Sequence, residues 1–283
     1  DAGVMAASFL PTRLPRLRTA NLRNHRKLLI VDGRLGFTGG TNIREGHWLA
    51  LDPAFPVRCV HFALQGPVVS HLQDIFTLDW SFATGETLAG DAWFPASAVH
   101  GDVWARGIAD GPDEALDLMV GIMIGALSVA RERVRIVTPY FLPDSALVQA
   151  LRVAALRGVC VEIYLPEKNN IWLVQWAMTA QLWQVLEKGC HVYFVPPPFD
   201  HSKLLVVDGT WSLIGSTNWD PRSLRLNFEF NVECYDEALA ARLDRIIDEK
   251  ALTAREITLE EVDARPLPIR LRDGLARLAT PYL

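Results

Sequence analysis

Two stretches of the chain carry the same chemically useful residues at the same spacing. His25 to Asn42 reads HRKLLIVDGRLGFTGGTN, and His201 to Asn218 reads HSKLLVVDGTWSLIGSTN; ten of the eighteen positions are identical, without a gap, and the copies start 176 residues apart. Residues two apart on a strand point to the same side, so each H-x-K on its strand projects an imidazole and an ammonium together. Each Asn follows its His by seventeen residues, just after a small Gly-containing turn where backbone amides and the Asn amide can approach an anion. A pseudo-two-fold would gather His25, Lys27 and Asn42 with His201, Lys203 and Asn218 around one point. That set suits a phosphodiester. One neutral imidazole attacks phosphorus, the other protonates the leaving oxygen, and lysines and asparagines hold the non-bridging oxygens. The lysines supply the positive charge, so this reading calls for no metal and no cofactor. Asp32 and Asp208 complete the candidate catalytic set, although each stands in Asp-Gly between two strands, where a turn or support role leads. His47, His61, His71, His100 and His191 have no counterpart in the opposite copy and read as structural or exposed. No serine-hydrolase elbow, phosphate-binding loop or dinucleotide fingerprint stands in a context that supports a rival chemistry.

The elements around the copies repeat as well. A glycine-led apolar strand precedes each copy (Gly3 to Phe9; Gly189 to Val195), and a strand and helix follow each (Arg58 to Leu64 with Val68 to Trp80; Leu226 to Tyr235 with Glu237 to Asp248). Ahead of the second copy the pattern predicts a strand over Val103 to Ile108, a helix over 114–133 and a strand over Val134 to Val137. A helix capped by Asp144 and closed by Gly158 follows, then a strand over Val159 to Leu165 and a helix over Ile171 to Lys188. Alternation of this kind implies a mixed α/β (α+β) fold of two pseudo-symmetric halves, each a mixed sheet flanked by helices. The boundaries expected are 1–98 for the first half and 99–283 for the second, which ends in a helical tail. Only 24 residues precede His25, so the opening strands of the first half are expected to lie outside this sequence, which begins at Asp1 and reads as an excerpt. Their lack should leave a sheet edge or apolar face exposed.

Composition narrows the class. Of 283 residues, 50% are hydrophobic and 22% charged, which excludes disordered and fibrous classes. A net charge of −5 argues against gripping nucleic acid. Mean hydropathy of +0.13, nine Trp and twelve Phe point to a surface that meets something apolar. The run from Leu118 to Ala130 is shorter than the about 20 residues a bilayer requires. Trp172, Trp176 and Trp183 share a helical face that reads as packed on the sheet, whereas Trp93, Phe94 and Trp104 are the better candidates for exposed contact with lipid. Four scattered cysteines form neither a metal spacing nor a disulfide framework.

The two repeats resemble the paired HKD signatures of the phospholipase D superfamily. The second, continued through Asp220-Pro221-Arg222-Ser223-Leu224-Arg225-Leu226-Asn227-Phe228-Glu229-Phe230-Asn231, is similar to that of bacterial cardiolipin synthases. Arg23 to Lys27, Thr138-Pro139-Tyr140-Phe141 and Gly66-Pro67-Val68-Val69 agree with it. The resemblance implies a two-lobed fold and transfer of a phosphatidyl group through a covalent phosphohistidine, without metal. One phosphatidylglycerol forms the intermediate and loses glycerol, and a second supplies the attacking hydroxyl at a bacterial membrane surface. Alternatives are a hydrolase of the same superfamily, acting on phospholipid or, less readily, nucleic acid, and a membrane-associated scaffold with weakened catalysis. The family places an acidic residue some thirty positions after each motif His to orient that imidazole. Glu229 fits that place for His201, but Cys59 stands in it for His25. Family precedent still makes His25 the nucleophile, while the asymmetry leaves the better-supported imidazole at His201. Acceptor specificity and oligomeric state are not legible in any motif.

Overall fold

Two Asp-Gly turns shape the repeats. Asp32 and Gly33 (φ 53° and 62°) and Asp208 and Gly209 (φ 50° and 62°) both take the left-handed conformation that a tight hairpin demands. A computed structural model describes residues 3–11, 21–113 and 116–282. In chain order the first half holds β1 (Arg23–Asn24), β2 (Leu29–Val31), β3 (Leu35–Gly39), β4 (Val57–Arg58), β5 (His61–Gln65) and α1 (Val68–Thr84). The second runs through β6 (Trp104–Asp110), α2 (Leu118–Val129), β7 (Arg133–Val137), α3 (Ser145–Leu156), β8 (Cys160–Pro166), α4 (Trp172–Gln181) and α5 (Trp183–Leu186). It continues with β9 (His191–Val195), β10 (Phe199–Asp200), β11 (Leu204–Val207), β12 (Trp211–Gly215), α6 (Pro221–Arg225) and β13 (Asn227–Tyr235). Last come α7 (Glu237–Ala251), β14 (Arg255–Ile257), α8 (Leu259–Asp263) and α9 (Leu267–Leu278).

Among the described residues, nine strands form one mixed sheet in the order β1-β13-β12-β11-β7-β8-β9-β14, with β6 also on β13. Side chains alternate strictly across it. Leu205, Val207, Ile136 and Ile163 face a core covered by α2, α3 and α4, while Leu204, Val206, Ile214 and Val232 face a second core with α7. The first-half sheet, β2-β3-β5, packs Leu28, Ile30, Phe62 and Leu64 into that second core. The mixed α/β architecture therefore follows the alternation read from the sequence.

Several expected elements differ. Gly3–Phe9 forms no strand: an extended segment becomes one only by pairing, and here Phe9 instead packs its ring on Phe82 and Phe228. The helix expected over 114–133 starts at Leu118, its residues 114 and 115 lying outside the described residues. The long helix before Gly189 is two runs, α4 and α5, joined through Leu182 at helical angles. Trp172 and Trp183 are exposed, whereas Trp176 packs against the core with the Arg272 guanidinium over its ring, so that tryptophan face is partly buried only at its middle residue. Trp93 is half-buried against Phe76; Trp104 is exposed, but its strand places it six residues from the partner of Glu229, roughly 20 Å away.

Candidate active site

Two very short strands bring the motif histidines to their places. β1 runs parallel to β13, with Asn24 opposite Phe228, and the His25 amide continues the ladder by donating to the Phe228 carbonyl (2.9 Å). β10 runs parallel to β4 in the same way, with Asp200 opposite Arg58 and the His201 amide donating to the Arg58 carbonyl (2.7 Å). Each half thus lends the residue before its histidine to a strand of the other half. Position by position, His25 comes to lie beside Glu229 and His201 beside Cys59. The H-x-K residues occupy the extended segments just ahead of β2 and β11, not the strands themselves.

That exchange overturns the expected pairing. Glu229, fully buried, holds His25: Nδ1 lies 2.8 Å and 2.9 Å from its two carboxylate oxygens. Ser216 Oγ donates to the same carboxylate (2.5 Å) and Asn227 Nδ2 to its other oxygen (3.2 Å). Burial alone would push this carboxyl up; His25, Lys27 and Ser216 outweigh it and hold Glu229 below its ordinary value. His201 has no carboxylate behind it. Its Nδ1 lies 2.8 Å from the Gly40 carbonyl oxygen, a neutral acceptor. Gly40 occupies the place of Ser216 and Cys59 that of Glu229, and a Cβ on Gly40 would sit 2.5 Å from the His201 carbonyl oxygen and 2.7 Å from Cys59 Sγ. The better-supported imidazole is therefore His25, and the partner of each histidine comes from the opposite half.

The two lysines behave alike. Lys27 Nζ donates to the His25 carbonyl (2.7 Å) and Lys203 Nζ to the His201 carbonyl (2.8 Å), so each ammonium keeps two protons for other acceptors. Burial lowers Lys27 to about 8, against the pull of Glu229 and Cys59, and lowers Lys203 to about 7. Burial, reinforced by Lys203 and opposed by the Gly40 carbonyl, also drives His201 far below the usual imidazole range.

His25 and His201 line one cavity of about 910 Å³, together with Asn42. Its charged lining is cationic, Arg44 and Lys168, and no carboxylate lines it among the described residues. His47, read from the sequence as structural or exposed, also lines it, with its ring 5.8 Å from that of His201; nothing in the repeat could have marked it. Tyr140, from the Thr-Pro-Tyr-Phe segment, lines it too and donates its hydroxyl to Asn170 (2.9 Å). Asn218 lies in a smaller adjoining cavity of about 210 Å³ that shares His25 and Tyr140, and its Nδ2 donates to Ser223 Oγ (2.9 Å). Asp32 and Asp208 line neither cavity. Asp208 lies seven residues down an extended chain from His201, roughly 20 Å, and its carboxylate accepts from the amides of Arg131, Glu132 and Arg133 (2.8–2.9 Å). Their place among catalytic candidates gives way to turn geometry and, for Asp208, to anchoring the start of β7. Among the described residues no three His, Cys, Asp or Glu side chains converge to hold a metal ion.

Two motif histidines lining one cavity, with exchanged strands behind them, are the arrangement expected of the phospholipase D superfamily, and the chain is similar to its members. Residues 123–251 match the family described as cardiolipin synthase, phospholipase D-like domain. Over its whole length the chain is 38% identical to the major cardiolipin synthase ClsA of Bacillus subtilis and 37% identical to a cardiolipin synthase of Geobacillus. It spans 59% and 57% of those relatives' lengths. The fold is also that of the phosphatidylserine synthase of Haemophilus influenzae, with a TM-score of 0.67 at 15% identity over 92% of this chain and 71% of that one.

Proposed function

We propose that the chain is a phosphatidyltransferase that makes cardiolipin from phosphatidylglycerol through a phosphohistidine at His25. The observation that carries it is the Glu229–His25 pair set against His201 across one cation-lined cavity. With Nδ1–H directed at Glu229, His25 presents the lone pair of Nε2 as nucleophile. It attacks phosphorus, the bond to the glycerol oxygen breaks, and that oxygen takes the proton from His201 Nε2. Lys27 and Lys203 neutralise the non-bridging oxygens, and the Asn42 and Asn218 amides donate hydrogen bonds to them. Burial first, and the lysine charges after it, depress His201; the anionic phosphodiester counters those charges and so favours the proton this step requires. In the second step neutral His201 accepts the proton of a hydroxyl on another phosphatidylglycerol. The oxygen attacks phosphorus, and the bond to His25 breaks. The work takes place at a membrane surface, and no helix among the described residues is long and apolar enough to cross a bilayer.

Thin-layer chromatography of the products from phosphatidylglycerol tests the reading. A cardiolipin spot is expected; phosphatidic acid alone would assign a hydrolase, and no turnover a scaffold. A second expectation concerns pH. Lysines at about 7 and about 8 lose their charge as pH rises through those values, so kcat/KM should fall across that range, not near the ordinary value of about 10.4. A rate profile that stays level to pH 10 would contradict the assignment of phosphate binding to Lys27 and Lys203.

A further inference from the structure

The last helix carries a surface that phosphoryl transfer does not use. In α9, Leu267, Leu271, Leu275 and Leu278 recur at i, i+4, i+8 and i+11, which places them on one face. All four point away from the protein, 67%, 60%, 68% and 76% exposed. The opposite face is fixed. Asp273 is buried between Arg265 (2.5 Å) and Arg272 (2.7 Å), Ala276 is buried, and the Arg272 guanidinium lies 4.1 Å from the centre of the Trp176 ring on α4. The leucines are therefore held outward by ion pairs on the inner side. Beside them opens a cavity of about 400 Å³, lined by Arg265, Arg270 and Arg277 with Asp263, Trp183 and Leu278. Arg265 is neutralised by Asp273, and among the described residues Arg270 and Arg277 have no ion-pair partner. Arg270 donates to the Asp263 carbonyl oxygen (3.4 Å).

We propose that α9 is an interfacial membrane helix: its leucine face enters the acyl boundary of a bilayer, and the arginine-lined cavity beside it receives an anionic phospholipid headgroup. A helix with an apolar stripe flanked by arginines is the form that lies in the plane of a membrane surface, and its binding scales with buried apolar area plus attraction to anionic lipid. The local excess of positive charge stands out on a chain of net charge −5. An exposed row of large aliphatic side chains in a water-soluble surface marks a contact site, and the arginines beside this one select an anionic partner. The surface differs from the aromatic residues expected from the sequence, Trp93 and Trp104.

Sedimentation of the whole chain with lipid vesicles tests this and contains no turnover step, so it stands or falls apart from the assigned reaction. The chain should sediment with vesicles of mixed phosphatidylcholine and phosphatidylglycerol, and more weakly with phosphatidylcholine alone. Leu271→Ser with Leu275→Ser should weaken partition at least about tenfold on both vesicle types, because both side chains lose apolar area to bury. Arg270→Gln with Arg277→Gln should weaken it roughly 25-fold on the anionic vesicles only, at about fivefold per arginine. Unchanged circular dichroism and thermal midpoints keep these comparisons on folded protein. Absence of binding by the parent chain, or unchanged binding by both double variants, overturns the proposal. A dimer in light scattering that the leucine variant breaks also overturns it, by assigning the stripe to a second copy.

Discussion

Glu229→Gln should lower turnover of phosphatidylglycerol by about three to four orders of magnitude, while Cys59→Ala stays within roughly tenfold of the parent. Gln keeps the size of the side chain but loses the charge that fixes the His25 tautomer and stabilises the cation formed when Nε2 bonds to phosphorus. Its amide can also turn a donor toward Nδ1, which places the proton on Nε2 and removes the nucleophile. Cys59 does none of this for His201, whose Nδ1 is served by the Gly40 carbonyl. Steady-state rates of the two variants measure the contrast. A Cys59 variant as crippled as the Glu229 variant would return the orienting role to the positions that follow each histidine in its own half.

Division of labour between the histidines gives the second large effect. With a phosphatidyl ester of p-nitrophenol, the leaving group needs no proton, so His201→Ala should still release one equivalent of p-nitrophenol per enzyme in a rapid burst. It should then stall, because no base is left to activate the acceptor hydroxyl. His25→Ala should show no burst at all, its rate falling by orders of magnitude. Stopped-flow absorbance reads both, and a base-stable, acid-labile label on the stalled His201→Ala enzyme maps the phosphorus to a histidine nitrogen. A label on His201 in the parent, or a burst from His25→Ala, would reverse the assignment.

The repeat was legible because its chemistry and its turns lie in continuous sequence: His, Lys, Asp-Gly and Asn at fixed offsets mark both hairpins and both histidines. The Asp144 cap was equally readable, and its carboxylate accepts from the Leu147 amide three residues on (3.0 Å). The source of each histidine's partner was not. β1 and β10 are two residues long, too short to show any period, and they pair with segments 204 and 142 positions away, as counted from His25 to Glu229 and from Val60 to Ser202. Spacing along one half therefore attached Glu229 to the nearer histidine in sequence and not to the nearer one in space. His47 escaped notice for a similar reason. It sits in a one-turn helical segment, Glu45–His47, whose counterpart in the second half, the start of α6, carries Ser223 at the matching position, so comparison of the copies could not reveal it.

The reciprocal loan of β1 and β10 has a bearing on ancestry. Two identical copies of a single half, associating across a true two-fold, would exchange the same short strands and supply one another's acid. Tandem fusion would preserve that trade while freeing each copy to drift. In the proposed reaction the carboxylate serves the histidine that bonds to phosphorus, whereas the other works with a backbone carbonyl behind it and a thiol at the matching place. Cys59 can thus be read as the mark of a site that began as two equivalent ends and came to run in one direction.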